Sequence, residues 1–138
     1  MVEVTFERAG KALIMDVKGH ANFDVQGKDL VCAGASTLGM TVAQCAKFMG
    51  DSGKLRKRPN IQIENGKLRV VIKPKDVFYP EAMHLMHVGQ TGMRLLAADY
   101  PQYLQVKTFE TEFDGEPEEP DSIDKDSSTY GQTKDSPT

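Results

Sequence analysis

The segment from Leu30 to about Gly50 constrains this chain most. It is rich in Ala, Gly, Thr and Met, and its apolar residues fall nearly all round a helical projection. It therefore reads as one central helix packed closely by its neighbours, ended by Gly50-Asp51-Ser52-Gly53. A helix of this composition needs a layer to pack on, and the sequence on either side alternates like strands.

Val2, Val4 and Phe6 alternate, Gly10-Lys11 makes a turn, and Leu13, Met15 and Val17 alternate again, which predicts an opening hairpin ending at Gly19-His20. Ile61 and Ile63, then Asn65-Gly66, then Leu68, Val70 and Ile72 predict a second hairpin, since Asn-Gly suits a tight two-residue turn. Pro80-Glu81 opens a second helix running to about Asp99, with Pro101 just beyond its end. Leu104, Val106 and Phe109 make a final strand. The expected order is β-β-α-β-β-α-β, an α+β class with a mainly antiparallel sheet and two helices.

At 138 residues the chain has room for one modest core. Residues 1–113 hold 15 Lys/Arg against 12 Asp/Glu, a net +3, whereas residues 114–138 hold 2 against 8, a net −6. Pro, Ser, Asp, Glu and Gly dominate that last stretch and apolar periodicity stops. The expectation is a folded domain over 1–112 and an acidic, disordered tail over 113–138. The alternating start, Met1 to Phe6, does not look like a signal peptide, and no stretch is apolar enough to cross a membrane, so a cytoplasmic protein is expected.

Cys32 and Cys45 are too few for a disulfide scaffold. Thirteen residues apart on one helix, they face opposite sides and should neither bridge nor share a metal; Cys45 reads as core. Lys54 to Arg58 is a basic run without interleaved aromatics, a solvated linker rather than a nucleic-acid surface, and direct nucleic-acid binding is not expected. His84 and His87 stand at i and i+3 with no further ligand pattern, so they read as helix surface and no metal site is expected. Gly89 and Gly92 suit close packing, and nothing supports nucleotide binding.

One pair carries chemistry. His20, at the end of a strand, and Cys32, in the first turn of the helix, are joined by one short loop. A helix start favours thiolate through its N-H groups and dipole, and a nearby imidazole can take the proton. Cys32 would attack an acyl carbon, and His20 would hold the proton and return it to the leaving amine. Backbone N-H groups near Val31, Cys32 and Ala33 could stabilise the oxyanion, with small Ala33, Gly34 and Ala35 letting substrate approach. Asp29 could orient the imidazole or cap the helix, and Ser36, one turn after Cys32, could bond the pair or a substrate carbonyl; both are supporting residues. The loop from Ala21 to Lys28 reads as a lid, with Gly19 and Gly27 as hinges. Spacing alone leaves open that Cys32 is merely packed.

Gly19-His20-Ala21 and Gly27-x-Asp29-Leu30-Val31-Cys32-Ala33-x-Ala35-Ser36 resemble the signature of the ribosomal-processing cysteine protease family, Prp. The likeness extends over about residues 1–112, with Leu30 where isoleucine is usual, Gly34-Ala35 in place of a bulkier pair, and residues 113–138 beyond the family's usual end. The resemblance implies a homodimeric α+β cysteine endopeptidase that uses no cofactor. It also implies a partner, the precursor of a large-subunit ribosomal protein, from which a short N-terminal extension is removed. It maps the catalytic His and Cys onto His20 and Cys32, and the supporting Asp and Ser onto Asp29 and Ser36. The alternatives are a prophage-type paralogue that trims phage scaffold or capsid precursors, and a non-catalytic ribosome-binding module.

Overall fold

The structure, a computed structural model, describes residues 1–19 and 28–111. Two hairpins, two long helices and a closing strand follow in the order β1 (Val2–Ala9), β2 (Ala12–Lys18), α1 (Lys28–Asp51), β3 (Asn60–Glu64), β4 (Lys67–Ile72), α2 (Tyr79–Asp99) and β5 (Leu104–Thr111). A single 3-10 turn, Asp76–Phe78, leads into α2, which has Pro at its start. The α+β order expected from the sequence is thus the one observed.

The five strands form one sheet in the order β3-β4-β2-β1-β5. Three neighbouring pairs are antiparallel, and β5 lies parallel to β1, with Val2 opposite Leu104 and Ala9 opposite Thr111. The parallel pairing follows from α2, which carries the chain back along the sheet before β5 begins.

Period-2 alternation sets the core. Val2, Val4, Phe6, Leu13, Met15, Val17, Leu68, Val70, Ile72 and Leu104 point to one face, where they meet Val31, Ala35, Val42 and Ala46 of α1 and Ala82, Met86 and Met93 of α2. Both helices lie on that side. Phe109 belongs to β5 as expected, but its odd register turns it to the other face, where it is half exposed.

On the helix-free face, Asp16 is buried between neighbouring strands. Arg69 Nη1 donates to its Oδ2 at 2.7 Å, while Oδ1 has no hydrogen-bond partner. The helices approach closely where α2 has glycine. A Cβ on Gly89 would lie 2.7 Å from Val42 Cγ2, and one on Gly92 would lie 2.7 Å from Leu38 Cδ2.

Two expectations need correction. Helix α1 is not covered all round, because its outer side leaves Leu30 and Phe48 exposed. Cys45 is not core. It is half-buried beside Phe48, Leu85 and Val88 in the shallow groove between the helices, because one sheet can cover only one side of a helix.

Candidate active site

Strand β2 delivers the chain to Gly19, and the geometry there is tightly fixed. The Gly19 N-H donates to Gly66 O at 2.9 Å, φ is +83°, and a Cβ would fall 2.6 Å from Met1 O. Only glycine satisfies both the left-handed backbone and that close approach. The Asn65-Gly66 turn of the second hairpin therefore braces the point where the chain leaves the sheet.

Helix α1 returns the chain over the same end. Gly39 packs on Leu68 and Val17, whereas Gly50 meets Pro59 and Leu55 at the far end. Cys32 stands seven residues before Gly39, about 10 Å back along the axis, and so lies at the sheet end marked by Gly19 and Gly66. Cys32 and Ser36 are both half-buried and one turn apart on one helical face, between buried Val31 and Ala35 and exposed Ala33. The thiol forms no disulfide.

The helix begins two residues earlier than expected. Cys32 is its fifth residue, in the second turn. The amides of Val31, Cys32 and Ala33 then belong to the helical ladder, and the described N-H groups without intrahelical acceptors are those from Lys28 to Leu30. Of the three small residues expected to admit substrate, only Ala33 faces solvent. Ala35 is in the core, and Gly34 makes room for Leu96 of α2, 3.0 Å from where its Cβ would be.

The backbone of Asp29 lies in the first turn of α1. His20, Gly27 and most of the expected lid, residues 21–27, lie outside the described residues. Beyond Ser36, α1 borders a groove of about 600 Å³ shared with edge strand β3, whose walls include Met40, Ala43, Lys47, Ile61 and Ile63. Sequence reasoning missed this groove, although two isoleucines on a short edge strand beside a helix of small residues signal it. His84 and His87 are exposed on α2, as expected, and among the described residues no three His, Cys, Asp or Glu side chains cluster to hold a metal. No helix among the described residues is long and apolar enough to cross a membrane.

The described residues form a small α+β domain with a half-buried, disulfide-free thiol at one end of its sheet. Residues 1–105 match the family described as cysteine protease Prp, and the chain belongs to that family. Its enzymatic class is therefore that of a cysteine protease.

Solved structures share the fold. SMU.848 from Streptococcus mutans superposes with a TM-score of 0.62 at 22% identity, covering 80% of this chain and 96% of its own. The essential ribosomal processing protease Prp from S. aureus, in complex with a substrate peptide, gives 0.58 at 20% identity, covering 78% and 99%. The same protease with a covalently linked product peptide gives 0.53 at 20% identity, with the same coverage. Comparison with curated proteins gives no match.

Proposed function

We propose that this chain is a cytoplasmic endopeptidase that removes a short N-terminal extension from the precursor of a large-subunit ribosomal protein. The observation that carries the reading is the family match, which spans His20 to Ser36 and most of the folded chain. It is supported by the S. aureus protein of the same fold, a ribosomal processing protease that binds a substrate peptide.

Cys32 Sγ attacks the scissile carbonyl carbon as His20 takes the thiol proton. The tetrahedral oxyanion collapses, the C-N bond breaks, and His20 protonates the leaving amine. Water, deprotonated by His20, then hydrolyses the thioester and releases the acid. Because the helix dipole falls off beyond the first turn, Cys32 in the second turn relies chiefly on His20 for activation. Asp29 and Ser36 act as positioning residues, and a lid over residues 21–27 hinges at Gly27 and is anchored at Gly19, because Lys28 already belongs to α1. Protein groups complete the chemistry without metal or organic cofactor.

An extended peptide fits the groove beside β3, whose outer edge pairs with no other strand of the described sheet. The protease domain spans 1–112, with 113–138 as an acidic appendage. A homodimer is supported by the outer helix face, where Leu30, Phe48, Val88 and Leu95 are each more than half exposed and no charge occurs between Leu30 and Ala46.

The test is incubation with the extended and the already trimmed ribosomal protein, followed by mass analysis. One cut in the extended form and none in the trimmed form is the expected result. Binding of the extended form without cleavage would identify a non-catalytic module instead. Cleavage of phage scaffold or capsid precursors alone would identify the prophage-type activity.

A further inference from the structure

The end of the sheet opposite Cys32 is strongly basic. Lys54, Arg56, Lys57 and Arg58 follow α1, and Lys73 and Lys75 follow β4. The two segments lie side by side: Leu55 bridges Pro74, the Arg56 N-H donates to Lys73 O at 2.7 Å, and the Lys75 N-H donates to Lys54 O at 3.0 Å. Lys11 of the first turn joins them through Asp76, which it meets at 3.1 Å and which Arg56 meets at 2.6 Å; Lys54 pairs with Glu81 at 2.9 Å.

Asp51, exposed at the end of α1, is the third carboxylate of this region. Counting Arg8, Glu7 and Glu110, further in on β1 and β5, eight basic groups face five acidic ones, and Lys57, Arg58, Lys73 and Lys75 have no ion-pair partner among the described residues. Lys57, Arg58 and Lys73 are exposed. Such a surplus of one sign on one end is a surface for a polyanion.

The chain itself supplies one at this end. Strand β5 runs parallel to β1 and finishes with Thr111 opposite Ala9, which in turn lies opposite Ala12. Leu13 pairs with Ile72, so Lys73 stands one position beyond, level with Ala12. Thr111 is therefore three strand spacings from Lys73, about 14 Å. From here residues 114–138 continue with eight carboxylates and two lysines, seven of those carboxylates between Asp114 and Asp126. At no more than about 3.3–3.6 Å per residue, 25 residues are still chain enough to reach the whole patch, and tethering supplies an effective concentration on the order of millimolar.

We infer that the acidic segment from Asp114 to Asp126 docks in cis on the basic end formed by Lys54 to Arg58 and Lys73 to Lys75. It acts there as a built-in polyanion that shields this surface from external ones. Cys32 is about 28 Å from Asp51 along α1, so docking leaves the thiol uncovered, while Arg58 and Asp51, which also line the far end of the groove beside β3, bring the tail to the edge of that groove.

Carbodiimide cross-linking of the full chain, read by mass spectrometry on mixed ¹⁴N and ¹⁵N protein, tests this. At 25 mM NaCl, links from tail carboxylates to Lys57, Lys73 and Lys75 should exceed those to Lys18, Lys67 and Lys107 at least fivefold, within one isotope. They should fall severalfold at 500 mM NaCl, on Arg58→Glu substitution, and on addition of a heparin oligosaccharide. Equal linkage to both sets of lysines, or heparin binding that leaves the links unchanged, would overturn the proposal. Links of mixed isotope would show the tail on a second copy, which also overturns docking in cis.

Discussion

Cys32 and Ser36 share one face of α1 at the sheet end, and the roles assigned to them predict unequal losses. Cys32→Ala should lower kcat by about 10³-fold or more with folding retained, and His20→Ala should be similarly severe. Asp29→Ala and Ser36→Ala should each leave measurable turnover, because a residue that only orients the pair costs less than one that bonds to substrate. Single-turnover kinetics on the precursor, beside a thermal melt of each variant, reads this ranking. Complete loss at all four positions would contradict it. A different residue-level balance holds at Asp16, whose carboxylate is buried against Arg69. Arg69→Met should cost about 1–3 kcal/mol by leaving that carboxylate without its donor, and Asp16→Val added to it should recover much of the loss. Chemical denaturation of the two variants decides the point.

At the scale of elements, the contact between α1 and α2 depends on missing side chains. The Cβ of Gly89→Ala would press on Val42, a buried, stiff β-branched residue, whereas that of Gly92→Ala would press on the end of half-buried Leu38, which can rotate. Gly89→Ala should therefore destabilise by about 1–3 kcal/mol and Gly92→Ala by less, seen as unequal drops in Tm. The groove between α1 and β3 predicts a kinetic effect instead. Ile63 is 59% exposed, so Ile63→Lys should leave Tm nearly unchanged. It should raise KM for a long precursor several-fold while sparing kcat on a short peptide. Equal effects on both substrates would place the peptide elsewhere.

For the whole molecule, the composition break after Phe113 predicts a self-sufficient domain with an appendage. The core is drawn from Val2 to Leu104. Truncation after Phe113 should therefore leave cooperative unfolding and peptide cleavage intact, checked by calorimetry and by turnover of the precursor. Loss of cooperative unfolding would show that residues beyond Phe113 belong to the core. The exposed apolar face of the helix layer predicts self-association, to be measured by sedimentation. Leu95→Glu, on that face at 67% exposure, should weaken it without unfolding the domain.

The sequence by itself determined the element order, both hairpins and the extent of α2, because alternation, turn residues and proline act locally. It also determined the family, since the spacing from Gly19 to Ser36 is a linear pattern. Tertiary structure decided what depends on partners distant in the chain. Gly34 and Ala35 resemble an opening for substrate until Leu96 and the core are found against them. Cys45 resembles core until the sheet is seen to cover only the other side of α1. The pairing of Lys54 to Arg56 with Lys73 to Lys75, beside the end of β5, comes from strand order and not from sequence proximity. Charge acts through space, so a basic run that reads as a linker became one half of a surface only when the sheet brought the other half to it.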